Sequence, residues 1–215
     1  MTGQETVVLV HGLWMHGMVM VPMRRRIERC GYRAVRYSYP SMRLTLAQNA
    51  DRLGRFCRGI NAPRLHFVGH SLGGVIILRM LQHAADLNIG RIVLAGTPFA
   101  DSFTAHRLVR LPGGRMAMGR SLLEWLGAPR PEGLEQYEIG VIAGSLGVGL
   151  GRVVAPGLPQ PNDGVVSVDE THISAARAHI VLNVSHTAML VSAAVARQAC
   201  EFIRRGTFAR PVDAS

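Results

Sequence analysis

Short apolar runs recur along the chain and are separated by amphipathic stretches. The runs are rich in β-branched residues, and most are apolar on both faces, which is typical of parallel strands inside a sheet. Strands are predicted at residues 6–10, 33–39, 65–68, 91–95, 138–146 and 179–184, and helices at residues 19–30, 45–59, 71–87 and 187–205. The alternation predicts an α/β fold, a doubly wound and mostly parallel sheet of about six strands with helices on both faces.

One region interrupts this alternation. Between residues 99 and 137, breaks that contain proline at 112–114 and 129–131 separate shorter segments, and a connection of this length is too long for a plain loop. A helical insert after the fourth strand is therefore predicted, within a chain interpreted as one α/β domain over residues 1–215. Two interpretations of the insert stay open: a packed helical element, or a wall or lid whose apolar side chains line a substrate pocket. Those side chains are Leu122, Leu123, Trp125 and Leu126.

The charge of the chain is strongly basic. All basic side chains other than histidine are arginine, and the formal net charge is +10. The arginines are scattered and lack the interleaved aromatic residues that stack nucleic-acid bases, so no nucleic-acid partner is expected. Contact with an anionic surface or substrate through these arginines remains a hypothesis. The sequence does not indicate an oligomeric state.

Cysteine usage and the amino terminus bear on the compartment. Cys30, Cys57 and Cys200 are far apart and lack metal-ligand spacing, so reduced, partly buried thiols are expected. The first residues enter a strand without the features of a signal peptide, and no apolar run is long enough to span a membrane. A cytoplasmic protein is predicted.

The stretch around Ser71 carries the clearest chemical signal. Gly69-His70-Ser71-Leu72-Gly73 reads G-x-S-x-G, between a predicted buried strand and a predicted helix. Small residues two before and two after the serine permit a sharp, strained turn that exposes its Oγ. Ser71 is therefore predicted to be a nucleophile at the amino end of a helix, where backbone N–H groups favour negative charge.

A second loop is expected to face the same crevice. The first strand ends at His11-Gly12, and the carboxyl ends of parallel strands form the ligand crevice of a doubly wound sheet. The glycine lets the backbone approach closely, so the N–H groups of Leu13 and Leu72 are predicted to form an oxyanion hole. His11 and Trp14 are candidate pocket residues beside it.

A serine nucleophile needs a histidine base and an acid that orients the histidine. In α/β-hydrolases the acid and then the histidine follow the serine, and His186 comes directly after the last predicted strand. The other downstream histidines, His83, His106, His172 and His179, fit this position less well. Asp163, before a glycine that permits a tight turn, is the predicted acid, with Asp169 in reserve and Glu170 a third candidate.

Four sequence blocks carry a family resemblance: Val10-His11-Gly12-Leu13, Gly69-His70-Ser71-Leu72-Gly73-Gly74, Asn162-Asp163-Gly164 and Ser185-His186. They resemble blocks of small bacterial lipases and related esterases of the α/β-hydrolase superfamily. The resemblance implies an acyl-enzyme mechanism without a cofactor. In larger lipases similar to this chain, an aspartate shortly after the histidine binds calcium. Here Thr187, Ala188 and Met189 follow His186, so no metal is expected.

The leading hypothesis is a serine carboxylic-ester hydrolase acting on a small-molecule or lipid ester. The alternatives are an acyltransferase using the same triad and a catalytically silent interaction protein.

Overall fold

A parallel six-stranded sheet forms the centre of the protein, with the strand order β2-β1-β3-β4-β5-β6. The computed structural model describes residues 4–149 and 154–209. Residues 1–3, at the predicted approach to the first strand, and residues 150–153, in the loop before Pro161, lie outside the described residues. The strands are β1 Thr6–Val10, β2 Arg33–Tyr37, β3 Leu65–His70, β4 Ile89–Ala95, β5 Ile139–Gly144 and β6 Ala178–Leu182. The predicted fold class is confirmed.

Helices cover both faces of this sheet. They are α1 Val21–Arg29, α2 Leu46–Arg58, α3 Leu72–Leu81, α4 Phe103–Val109, α5 Gly114–Gly127 and α6 Ala193–Arg205. Short 3-10 helices occur at Gly17–Met20, Leu134–Gln136, Asp169–Thr171 and Thr187–Leu190. Local signals fix several ends, since Thr45 forms a capping box at the start of α2 and Gly206 adopts a left-handed C-cap after α6. No helix among residues 4–149 and 154–209 is long and apolar enough to cross a membrane.

Alternate side chains of the strands pack into two separate hydrophobic cores, one on each face of the sheet. Val8 and Val10 pack on the side of α2 and α3, whereas Val7 and Leu9 pack on the side of α1 and α6. All four are fully buried, and burial of each side chain stabilises the fold by roughly 1.5–3 kcal/mol. The sheet is therefore held from both sides, which explains the continuous apolar runs in the sequence.

The direction of strand order reverses at β1. The chain places β2 on one side of β1 and then β3 on its other side. Ligand crevices in doubly wound sheets lie at the carboxyl ends of strands where the order reverses. The loops after β1 and β3, at Gly12 and Ser71, therefore belong to one crevice.

The region between β4 and β5 contains α4 and α5. The helical geometry of α5 is broken at Gly119, which has φ 67° and ψ 170° and packs on the backbone of Met42. The second half of α5 is tied to α2 because Glu124 accepts a hydrogen bond from the Leu46 N–H (2.8 Å). Asn49 adds a hydrogen bond to the Ser121 hydroxyl (2.8 Å).

The expectation of three reduced thiols is wrong for two of them. Cys30 and Cys200 form a disulfide, with their Cα atoms 6.3 Å apart. Cys30 caps α1 and Cys200 lies on α6, and these helices pack side by side on one face of the sheet. A separation of 170 residues hides this proximity from any spacing pattern. Cys57 is a free, buried cysteine.

Candidate active site

Ser71 lies in a strained turn between β3 and α3. Its backbone has φ 54° and ψ −125°, and a positive φ is uncommon for a residue with a side chain. The flanking glycines are required by packing. A Cβ on Gly69 would lie 2.6 Å from the Gly74 Cα, and one on Gly73 would overlap the Val10 carbonyl oxygen. The sequence therefore forms a sharp strand-to-helix turn at the serine.

The loop after β1 packs directly against this turn. A Cβ on Gly12 would lie 3.1 Å from the Ser71 Cβ and 3.1 Å from the His70 Nδ1. Leu13 follows Gly12, and Leu72 follows Ser71 as the first residue of α3. Among the described residues, no hydrogen bond from the Leu13 or Leu72 backbone N–H is found. Leu13 and Leu72 are therefore on the two segments that meet at Ser71.

Asp163 and His186 form a buried pair. The Asp163 Oδ2 lies 2.7 Å from the His186 Nδ1, and the side chains are 1% and 9% exposed. A carboxylate only accepts hydrogen bonds, so the His186 Nδ1 donates to Asp163 and the ring is fixed in orientation. The His186 backbone N–H also donates to the Asp163 carbonyl oxygen (2.8 Å). Two contacts with Asp163 therefore hold the His186 ring and its backbone in place.

The loop around Asp163 satisfies the second carboxylate oxygen. Oδ1 accepts hydrogen bonds from the backbone N–H groups of Val165 (2.9 Å) and Val166 (2.8 Å). Gly164 permits this tight turn, with φ 96°, and its N–H donates to the Asn162 side chain (2.9 Å). A buried carboxylate is costly unless donors surround it, and here both oxygens are engaged.

The serine turn and the Asp163–His186 pair meet at the end of β4. The Ser71 N–H donates to the Ala95 carbonyl oxygen (2.9 Å). The next residue, Gly96, has φ 57°, and a Cβ on it would lie 3.1 Å from both the Asp163 Oδ2 and the His186 Nδ1. One glycine therefore separates the backbone that holds Ser71 from the acid and histidine side chains.

His70 supports this pair from behind, a role that no local sequence pattern indicates. Its Nε2 donates to the His186 carbonyl oxygen (2.9 Å), and the two rings lie 4.7 Å apart between centroids. Burial, reinforced by the neighbouring His186, lowers the pKa of His70 to about 3. His70 is thus a neutral donor that positions His186. The only sequence signal was its place in the G-x-S-x-G motif.

His11, a predicted pocket residue, lies beneath the loop that follows β1. It is fully buried, its Nδ1 donates to the Gly12 carbonyl oxygen (2.8 Å), and its Nε2 accepts from the Tyr39 N–H (3.3 Å). The Tyr39 hydroxyl donates to the His11 carbonyl oxygen (2.8 Å), and the rings stack. Burial lowers the pKa of His11. These contacts fix the loop. Tyr39 was predicted only as part of a strand at 33–39, and its partner His11 lies 28 residues away.

Trp14 reaches from the same loop to the insert. It shares with Ser71 a positive φ, 58°, and these are the two non-glycine examples in the described chain. Trp14 is 62% exposed, and its Nε1 donates to the Ala117 carbonyl oxygen (2.6 Å). Residues of the insert that were expected near the site differ in environment. Trp125 is 1% exposed and donates to the Pro98 carbonyl oxygen, whereas Leu122, Leu123 and Leu126 are half-buried.

The remaining candidate groups lie elsewhere. Asp169, the reserve acid, is exposed, and Glu170 is buried between the Asp163 loop and α4. His83 and His172 are exposed, His106 pairs with Asp101, and the His179 Nε2 lies 3.0 Å from the Thr171 hydroxyl. In the part of the chain that the structure describes, no group of three or more His, Cys, Asp or Glu side chains could hold a metal ion.

A cavity of about 560 Å³ lies away from these residues. Leu81, Leu87 and Ile89 line it, at the carboxyl end of α3 and the start of β4. Since β4 starts beside this cavity and Ser71 follows the carboxyl end of the parallel strand β3, the cavity lies at the opposite end of the strands from Ser71. It has no part in the arrangement described above.

Comparison with known proteins agrees with this architecture. The sequence profile of the alpha/beta hydrolase family matches residues 7–202. The mature form of a Bacillus licheniformis lipase is 18% identical, with a TM-score of 0.74 over 96% of this chain and 93% of the lipase. A metagenomic carboxyl esterase is 19% identical (TM-score 0.64, 86% of this chain and 65% of the esterase). A pyrethroid hydrolase from Sphingobium faniae is 15% identical (TM-score 0.60, 94% and 98%). Among curated proteins, none matches the chain by sequence.

Proposed function

The chain belongs to the alpha/beta hydrolase family, and from this premise we propose that it is a serine hydrolase of carboxylic esters. The observation that carries the proposal is the buried Asp163–His186 pair beside a serine held at positive φ. A hydroxyl so placed needs a base, and in this proposal the His186 Nε2 supplies one. Expected substrates are small-molecule or lipid esters, and no cofactor takes part.

In the proposed mechanism, the Ser71 Oγ attacks the acyl carbon while His186 Nε2 takes its proton. Asp163 holds the imidazole and stabilises the imidazolium that forms. The N–H groups of Leu13 and Leu72 donate to the oxyanion of the tetrahedral intermediate. His186 then protonates the leaving alcohol, and water attacks the acyl-enzyme to release the acid and restore Ser71.

The pocket residues of this proposal come from the β1 loop and the insert. Trp14 is the exposed member, and Leu122, Leu123 and Leu126 have half-buried side chains able to contact an acyl chain. His11 and Trp125 are buried in this state of the protein. They would take part by supporting the walls of the pocket.

A panel of nitrophenyl esters and a fluorophosphonate probe test the proposal. Wild-type protein should turn over the esters and be labelled, whereas Ser71→Ala should lose both, with an activity loss of about a millionfold for a triad nucleophile. Ser174→Ala, at an exposed serine, is the matched control. Asp163→Asn should lose activity and Asp169→Asn should keep it; the reverse result would reassign the acid.

Two outcomes would favour the alternatives. If an added alcohol captures most of the acyl group as a new ester, the protein is an acyltransferase that uses the same acyl-enzyme. If folded wild-type protein neither hydrolyses the panel nor reacts with the probe, the site is silent and the proposal fails.

A further inference from the structure

The insert carries a concentration of unneutralised positive charge. Residues 103–120, here called the cationic turn, comprise α4, the turn after it and the first part of α5. They contain Arg107, Arg110, Arg115 and Arg120 and no aspartate or glutamate. All four arginines are exposed. Within residues 4–149 and 154–209, none of them forms a salt bridge.

Large apolar side chains project from the same surface. Leu111 is 48% exposed and Met116 is 82% exposed, and the Gly114 N–H donates to the Leu111 carbonyl oxygen (2.9 Å) to close the turn between them. Trp14, 62% exposed, joins this surface through its hydrogen bond to the carbonyl oxygen of Ala117, the neighbour of Met116. Three large exposed apolar side chains on neighbouring segments that also carry unpaired arginines favour a binding role for this surface.

We propose that the cationic turn and Trp14 dock on the surface of an anionic lipid layer. Each arginine side chain near such a surface is expected to strengthen binding about fivefold through the negative surface potential. Leu111, Met116 and Trp14 would at the same time enter the boundary between headgroups and acyl chains, where apolar and indole side chains are favoured. A nucleic acid would satisfy the arginines but leave these three side chains in water.

The position of Trp14 connects this surface to the serine. Trp14 lies two residues after Gly12, which packs on Ser71. A protein docked through Trp14 therefore holds the loop of the oxyanion donor Leu13 at the lipid surface. This step rests on the proposed function, and it specifies the substrate class as acyl esters presented in anionic lipid aggregates.

Vesicle sedimentation with the Ser71→Ala protein tests docking without turnover. The protein should bind vesicles of equal parts phosphatidylcholine and phosphatidylglycerol, bind pure phosphatidylcholine far more weakly, and dissociate as salt rises. Since Trp125 is 1% exposed and Trp14 62%, docking should shift the tryptophan emission to shorter wavelength through Trp14. This readout does not depend on catalysis, so it separates failure of docking from failure of the proposed function.

Paired substitutions locate the surface. Arg110→Gln with Arg115→Gln should lower vesicle affinity about 25-fold; Arg107 is left because it packs over the Phe103 ring. The control pair, Arg25→Gln with Arg197→Gln, removes the same charge from exposed positions on α1 and α6 and should change affinity little. Leu111→Ser with Met116→Ser should weaken binding about tenfold.

Three results would overturn the proposal. The first is equal binding to neutral and anionic vesicles. The second is an equal loss of affinity in the two arginine pairs, which would mean that only net charge matters. The third is unchanged vesicle binding in the Leu111→Ser, Met116→Ser variant together with equally tight binding to a nucleic acid, which would make the surface a general polyanion site.

Discussion

Three histidines lie on segments around the Ser71 turn, and each makes different contacts. His186 contacts Asp163 through its Nδ1, His70 uses its Nε2 to hold the His186 backbone, and His11 uses both ring nitrogens to hold the β1 loop. Burial lowers the pKa of both His70 and His11. The two supporting rings therefore stay neutral and do not place a second positive charge beside His186.

The neutral state of His70 predicts a loss of stability in acid. Its pKa is about 3 in the folded protein and 6.5 ordinarily, so below pH 6.5 the unfolded chain binds the proton more strongly. Stability present above pH 6.5 is lost as pH falls, by about 1.4 kcal/mol per unit, or about 2 kcal/mol by pH 5. Denaturant unfolding of wild type and His70→Gln at several pH values should show wild type losing more on acidification.

The comparison needs a control because other buried histidines titrate in the same direction. His83→Gln makes the same replacement at an exposed position and should leave the pH dependence of wild type unchanged. If His70→Gln and His83→Gln lose stability in parallel between pH 6.5 and 5, His70 does not titrate as its burial requires. His70→Gln retains an amide donor, so it should fold.

Periodicity predicted the elements well where burial is continuous. The predicted strands at 6–10 and 91–95 correspond to Thr6–Val10 and Ile89–Ala95, because strands buried on both faces have an unbroken apolar pattern. The helix predicted at 71–87 ends at Leu81, and the helix predicted at 187–205 is a 3-10 turn followed by α6. Helix ends depend on tertiary contacts that periodicity does not contain.

Some site residues could be predicted from the sequence and others could not, because the latter depend on contacts between residues far apart in the chain. Asp163 and His186 could be chosen because strand order fixes which loops reach the crevice. The supporting roles of His70 and Tyr39 depend on partners 116 and 28 residues away, respectively, and no local pattern encodes those pairings. Glu170 was considered as an acid, but the structure places it in a different element of the site.

Glu170 ties the Asp163 loop to the insert. One carboxylate oxygen accepts from the Phe103 N–H at the start of α4, and the other accepts from the Ser167 N–H (2.7 Å) and hydroxyl (3.0 Å). Asn162 and Ser167 pair across the loop that carries Asp163. Burial raises the pKa of Glu170, although these donors oppose the shift. The carboxylate thus joins two elements that flank the site.

Glu170→Gln should therefore weaken both the loop and catalysis. The amide replaces one acceptor oxygen by a donor that faces backbone N–H groups, at a cost of about 1–3 kcal/mol in unfolding free energy. We expect kcat to fall more than KM changes, because the displaced loop carries Asp163, the proposed orienting acid. Glu135→Gln, at an exposed glutamate of another 3-10 helix, is the control. A stability loss with unchanged kcat would limit Glu170 to a structural role.

The disulfide links the two helices that cover one face of the sheet. Cys30 ends α1 and Cys200 lies within α6, so the bond joins the two helices that cover the Val7 and Leu9 side of the sheet. Reducing compartments keep such cysteines as thiols. The cytoplasmic location expected from the amino terminus remains a prediction, and this bond weighs against it.

Reduction should lower stability and change the number of reactive thiols. A bond that closes a loop of this length restricts the unfolded chain, and its loss costs about 2–5 kcal/mol, or roughly 4–20 °C in Tm. Cys57 is 1% exposed, and burial raises its pKa to about 12, so it should not react with a thiol reagent in the folded protein. The oxidised protein should then show no reactive thiol when folded and one when unfolded. The reduced, unfolded protein should show three.

Cys57→Ala should remove the single thiol of the unfolded, oxidised protein while keeping the sensitivity of Tm to reductant. Three thiols in unfolded protein that was never reduced would mean that Cys30 and Cys200 are not bonded, and α1 and α6 would then be held by packing alone.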